Sequence, residues 1–242
     1  MTTNKTALVT GATRGIGHEI ARQLAEAGHE VWLGSRDAKR GEEAAAALRA
    51  KGFKAQVLPL DVADDRSVVE AARLLAAETR HLDVLVNNAG IAEGFTYAPD
   101  VEPLNNVKAV YEVNLFGPIR VTQAFIPLLK AAPAAQVIML SSELGSLTNL
   151  LDPDNEFYGV NSLSYNSSKT ALNAATVSFA KALEPFGIKV NAVDPGFTAT
   201  DMNGHAGYRS VAQAAEIPLA LASGRMDGIS ASFLNHNGRL GW

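Results

Sequence analysis

Tyr165 and Lys169 stand four residues apart at the start of an apolar stretch, Tyr165 to Leu183, that reads as a helix. Residues at that spacing share a helix face, so the phenol and the ammonium point the same way. A free phenol has a pKa near ~10. A neighbouring ammonium stabilises phenolate and draws that value toward neutral pH, as a general acid/base needs. The pair alone is weak, because a Tyr-x-x-x-Lys spacing can arise by chance. Tyr158, close by, has Ser162 and not lysine four residues on, so it lacks the activating partner. Two other polar positions stand where elements end or bend. Ser141 and Ser142 follow the apolar run Val137-Ile138-Met139-Leu140. Asn114 sits inside a long helical pattern, where asparagine is a poor helix former.

A second chemistry is phosphate binding. Thr10-Gly11-Ala12-Thr13-Arg14-Gly15-Ile16-Gly17 follows a short strand and opens a helix. Gly11 can take the tight turn, Gly15 lets the backbone approach a pyrophosphate, and Gly17 lets the helix pack close to the sheet. The helix N-terminus adds unpaired N–H groups and partial positive charge. A plain turn built with glycine is the bland alternative, and the spacing departs from Gly-x-Gly-x-x-Gly. The second strand ends in Gly34-Ser35-Arg36-Asp37. An acid at that place binds the ribose 2′-hydroxyl of NAD, whereas NADP sites use groups that tolerate a phosphate. Here Ser35 and Arg36 come first, and Arg36, joined by Arg14, can bind a 2′-phosphate through charge-assisted bonds. Arg36 can equally be a solvated charge, and Asp37 can cap the next helix. NADPH/NADP+ is expected over NADH.

The elements that must position these groups alternate between strand and helix. Strands are expected at Ala7–Val9, Val31–Leu33, Val57–Leu60, Val84–Val86, Val137–Leu140, Ile188–Val193 and Ser232–Leu234. Helices are expected over Gly15–Ala27, Glu42–Ala50, Val68–Ala77, Val107–Ala131 (bent by Gly117-Pro118 and Pro127) and Tyr165–Leu183. The apolar strands do not alternate, as for strands buried on both faces. The order predicts an α/β fold: a single-domain Rossmann-type doubly wound parallel sheet with helices on both faces. No linker or repeat interrupts residues 1–242, so one domain carries both cofactor and catalysis. Ligands in such sheets bind at the carboxyl ends of the strands.

The chain has 242 residues, 47% hydrophobic and 19% charged, with net charge −4 and no cysteine. Disulfides, thiolate catalysis and zinc–thiolate sites are excluded. No basic block points to nucleic acid, and no apolar stretch is long enough to span a bilayer. No signal-peptide pattern opens the chain, so a cytoplasmic protein is the default. His18, His29, His81, His205 and His236 lack ligand spacing, so no metal is expected.

The glycine turn, Asn87-Asn88-Ala89-Gly90 after the fourth strand, Tyr165-x-x-x-Lys169 and Pro195-Gly196-Phe197-Thr198-Ala199-Thr200 occur in order along nearly the whole chain. Together they resemble the short-chain dehydrogenase/reductase family. The resemblance implies that Ser142 is the catalytic serine and that Asn114 holds a water linking Lys169 to solvent. Lys169 would also bind the nicotinamide ribose. Cofactor contacts are then expected from Gly11, Thr13, Arg14, Gly15, Ile16, Gly17, Ser35, Arg36, Asp61, Val62, Asn88, Ala89, Gly90, Tyr165, Lys169, Pro195, Gly196, Thr198 and Thr200. Asp61 and Val62 would flank the adenine, although Asp61 is open to being a helix cap. The reaction implied is reversible NADPH-dependent reduction of a ketone or aldehyde. Its substrate is a small carbonyl or alcohol.

Ser142 and Tyr165 are 23 residues apart, farther than in many members of the family. The extra segment, about 149–159, and a tail ending in Trp242 are similar to the carbonyl-reductase-like branch. That likeness favours a monomer, with a homodimer left open. A substrate lid is expected at about 198–216, where His205 can touch substrate. Leu144, Leu147, Phe157 and Tyr158 suggest an apolar or aromatic substrate. One competing reading is a catalytically silent NADP(H)-sensing regulator, which loss of Tyr165 or Lys169 would have marked. Sugar-nucleotide epimerases and dehydratases share Tyr-x-x-x-Lys, but usually have another glycine spacing and a longer substrate domain.

Overall fold

The structure is a computed structural model and describes residues 5–242. Eight strands form one sheet: β1 (Thr6–Thr10), β2 (Glu30–Ser35), β3 (Ala55–Pro59), β4 (Val84–Asn87), β5 (Gln136–Leu140), β6 (Lys189–Val193), β7 (Phe233–Asn235) and β8 (Gly238–Arg239). Their order is β3-β2-β1-β4-β5-β6-β7-β8. All neighbours are parallel except β7 and β8, which form a terminal hairpin. The chain winds outward from β1 to one edge, then returns to β4 on the other side of β1. That reversal is the switch point at which a doubly wound sheet opens a crevice beyond its strand ends.

Every residue of β1, β4 and β5 is buried, because helices cover both faces. Successive residues of β1 serve opposite layers. Leu8 packs with Val121, Phe125 and Leu172 on one side. Ala7 and Val9 pack with Ile20, Leu24 and Leu48 on the other.

The helices are α1 (Gly15–Glu26), α2 (Ala38–Arg49), α3 (Asp65–Glu78), α4 (Leu104–Tyr111), α5 (Gly117–Ala131), α6 (Leu147–Leu150), α7 (Leu163–Leu183), α8 (Val211–Ala214) and α9 (Glu216–Ala222). Helix α2 starts four residues before the expected Glu42, because Asp37 caps it by accepting the Arg40 N–H at 3.1 Å. Helix α3 is capped by Asp64 and not by Asp61.

The long helix expected over Val107–Ala131 is interrupted. Between α4 and α5 lies a single π turn, Glu112–Phe116. Pro118 explains the break: it has no N–H for the Asn114 carbonyl, so the regular i→i+4 ladder cannot continue there. Wider turns of this kind are frequent at functional sites. Pro127, by contrast, stays inside α5.

Candidate active site

The glycine turn shapes a cleft of about 680 Å³ beyond the strand ends. Gly15 has φ +58°, a left-handed conformation that favours glycine. A Cβ built on Gly17 would lie 2.6 Å from the Gly11 carbonyl oxygen and closer still to the Asn88 amide. Arg14 precedes α1 with no side chain capping the helix, so the first-turn N–H groups remain open to an anion. Asn88 ties β4 to this turn. Its side-chain amide donates to the Thr10 and Gly11 carbonyls at 2.9 and 3.1 Å.

Most of the expected cofactor residues line this cleft: Gly11, Thr13, Arg14, Gly15, Ile16, Gly17, Ser35, Arg36, Asp61, Val62, Asn88, Ala89, Gly90, Tyr165, Lys169, Pro195 and Thr200. Gly196 and Thr198 do not. Thr198 is buried, and its hydroxyl donates to the carbonyls of Pro195 and Gly196, so it shapes the turn. Ser35 is likewise occupied, donating to the Asp37 carbonyl at 2.6 Å. Arg36 is exposed and has no side-chain partner among the described residues.

On the other side, α7 carries Tyr165 and Lys169. Ser162 caps that helix and accepts the Tyr165 N–H at 3.3 Å. Lys169 is buried, its Nζ donating to the Leu140 carbonyl at the end of β5, 2.7 Å away. Nζ lies 5.7 Å from the centre of the Tyr165 ring. The Ser142 hydroxyl accepts the Leu144 N–H at 3.2 Å and stands beside the Tyr165 phenol. Ser141 points elsewhere, donating to Asn173 at 2.6 Å. Asn114 is buried and clasps the backbone of Ile91, accepting its N–H and donating to its carbonyl, both at 2.9 Å. Its amide also donates to Ser168 at 3.2 Å.

The electrostatics depart from the expectation that Lys169 draws the phenol down. Burial pushes Tyr165 up to about 12, with the Ser142 hydroxyl working against that and Asp194 adding to it. Burial pushes Lys169 down to about 8, opposed by Asp194. Desolvation therefore dominates both groups.

Residue types and spacing had left several neighbours unassigned. Arg40 lines the cleft one helical turn beyond Arg36, a spacing visible in the sequence. It pairs with Asp37 at 3.5 Å. Phe95, in the loop after β4, lays its ring 5.2 Å from that of Tyr165, and 47% of it remains exposed. No periodicity marks it. Over the cleft, Asp201 pairs with Arg14 at 2.9 Å and with His205 at 3.0 Å. Glu143 accepts from Asn149 and Asn155 at 2.7 and 2.9 Å, fastening the extra segment to the end of β5.

Comparison with known proteins agrees with this arrangement. Residues 5–209 match the family model for short chain dehydrogenases. A (+)-neomenthol dehydrogenase of Arabidopsis thaliana is 36% identical, covering 91% of this chain and 92% of its own. A (−)-isopiperitenone reductase of Mentha piperita is 32% identical, covering 89% and 91%. The crystal structure of NADPH-bound carbonyl reductase from chicken fatty liver superposes with a TM-score of 0.85, at 30% identity and 99% coverage of both chains. The chain belongs to the short-chain dehydrogenase family, in its carbonyl-reductase-like branch. It is an oxidoreductase of the nicotinamide-dependent type. No helix among the described residues is long and apolar enough to cross a membrane.

Proposed function

We propose that the protein reduces ketones and aldehydes to alcohols with NADPH, Tyr165 supplying the proton. The observation that carries this reading is a convergence: Tyr165 and Lys169 line the same cleft as the glycine turn, and the Ser142 hydroxyl stands beside the Tyr165 phenol. The cleft suits a dinucleotide, with the open N–H groups of α1 for a pyrophosphate and no room for side chains at Gly17. Arg14, Arg36 and Arg40 gather at its rim. The acid there, Asp37, is spent on capping α2. That donor set favours a ribose 2′-phosphate over a bare 2′-hydroxyl. The chicken enzyme, crystallised with NADPH, points the same way.

When bound, the nicotinamide supplies the hydride. The chain's own groups manage the oxygen. Ser142 uses its oxygen as an acceptor for Leu144, leaving its hydrogen for the substrate oxygen. With its phenol at about 12, Tyr165 is protonated at neutral pH and can give that proton to the alkoxide as it forms. Lys169, at about 8, is mostly charged at neutral pH and stabilises the phenolate left behind. The Asn114 carbonyl, denied a helical donor by Pro118, is free to accept from a water that restores the proton through Lys169. Segment 198–216 acts as the lid, through Asp201 on Arg14. Segment 149–159 borders the substrate space, where exposed Phe95, Leu147 and Tyr158 favour an apolar or aromatic carbonyl.

The test is a panel of ketones and aldehydes, with wild type and Tyr165→Phe assayed with NADPH and with NADH. Wild type should turn over faster with NADPH. The variant should fold normally and lose about 10²–10⁴-fold in rate. Near-normal turnover in Tyr165→Phe would end the proton-donor assignment, and equal or better rates with NADH would end the NADPH assignment.

A further inference from the structure

Asp194 directly follows β6, just before the Pro195-Gly196 turn, and only 5% of it is exposed. Its Oδ1 accepts the Glu143 N–H at 3.0 Å. Its Oδ2 is buried without a hydrogen-bond partner. A buried charge with one oxygen unpaired is costly. The Glu143 N–H needs only an acceptor, which an asparagine amide would supply without charge, while the Gly196 N–H also favours the ionised form.

Two features of its position stand out. First, Glu143 directly follows Ser142, and Ser142 caps the short 3-10 turn Glu143–Gly145. The bond from Asp194 crosses from β6 to β5 and fixes the backbone that aims the serine. Second, the charge acts through a water-poor site, where screening is weak. From α7 it is faced by Lys169, whose charged form it favours, and by Tyr165, whose phenolate it opposes. From the lid it meets Arg209 and Tyr208, and from the β5 turn the Glu143 carboxylate. Burial pushes Asp194 up to about 6, while Arg209 and the backbone N–H groups of Glu143 and Gly196 favour its ionised form. It is mostly ionised at neutral pH.

We propose that Asp194 is a positioning residue for this reaction: it holds the Ser142 turn through the Glu143 N–H, and its buried charge acts on the Tyr165–Lys169 pair. The proposal rests on the reading of Tyr165 as proton donor.

Asp194→Asn keeps the acceptor and removes the charge, whereas Asp194→Ala removes both. Two measurements separate the roles: the pH profile of kcat, and ultraviolet titration of tyrosinate in the free protein. Subtracting the Tyr165→Phe curve isolates the Tyr165 transition. Asp194→Asn should keep kcat near neutral pH within about three-fold. Its basic limb and its Tyr165 transition should both move to lower pH by about half a unit or more. Asp194→Ala should show the same shift and lose about ten-fold or more in kcat, with KM changing less. Curves for Asp194→Asn that superpose on wild type would overturn the proposal. So would a loss of kcat in Asp194→Asn as large as in Asp194→Ala. If Asp194→Ala does not fold, the Asp194→Asn curves decide alone. Full activity in Tyr165→Phe would remove the underlying reading instead, while the tyrosinate titration would still report whether the Asp194 charge acts on the phenol.

Discussion

At the glycine-rich end of the cleft the packing leaves no space: Gly17 has no room for a Cβ, and the Asn88 side chain bonds directly to the carbonyls of the turn. At the other end, the enclosing contacts run between polar side chains of loops. Glu143 gathers Asn149 and Asn155, and the Tyr208 hydroxyl donates to Glu156 at 3.1 Å. The first construction is rigid, because close-packed backbone cannot yield without moving strands. The second relies on half-buried to exposed polar contacts between loops, which cost less to break. A cofactor common to many enzymes can be met by a fixed surface, and a particular substrate by an adjustable one.

Gly17→Ala tests the rigid end most severely. The added methyl meets the Gly11 carbonyl and the Asn88 amide, so α1 must move away from the sheet. Overpacking of this kind costs about 1–3 kcal/mol. The variant should lose that much stability on thermal unfolding and bind dinucleotide far more weakly, whichever dinucleotide is used. If it melts and binds like wild type, the glycine-rich end is as yielding as the other.

Arg36→Ala sharpens the comparison within that end. Arg36 is exposed and makes no side-chain contact in the described structure, so stability should not change. A charge-assisted bond to a 2′-phosphate is worth about 1.5–3 kcal/mol. KM for NADPH should therefore rise by roughly ten-fold or more, with KM for NADH nearly unchanged. Equal effects on both cofactors would mean that Arg36 does not read the phosphate.

What could be read from the sequence follows the same division. Glycines at strand ends are local signals, since each serves a turn made by its own neighbours, and the sheet order follows from alternating elements; Asn88 stands at a strand end, but the carbonyls it holds lie 77 and 78 residues away. The Tyr165–Lys169 pair is legible because helix spacing sets its geometry. The π turn was missed although Pro118 signals it, because a proline inside a helical pattern reads first as a bend. The elevated Tyr165 phenol was missed because desolvation depends on what surrounds the hydroxyl in three dimensions, which spacing does not encode. Asp194 directly precedes the Pro-Gly turn, but its partner, Glu143, lies 51 residues away. Phe95 and the Tyr208–Glu156 contact belong to loops with no periodicity, where only the folded chain brings the partners together.

Tyr208→Phe gives the smallest expected effect and the finest test of the adjustable end. The substitution removes the hydroxyl that reaches Glu156 and keeps the ring, which packs edge-on against Phe197 at 5.9 Å. Both residues of the hydrogen bond are exposed, so water replaces the lost partner and the change in stability should stay within about 0.5 kcal/mol. The bond nevertheless joins the segment after β6 to the extra segment across the substrate side. Its loss should therefore appear in KM for bulky carbonyls, by about two- to three-fold, while kcat for small ones holds. Thermal melting and a KM series over ketones of increasing size measure both. A large fall in melting temperature, or a drop in kcat equal across the series, would show that this contact is part of a rigid frame. The substrate end would then be built on the same principle as the glycine-rich end.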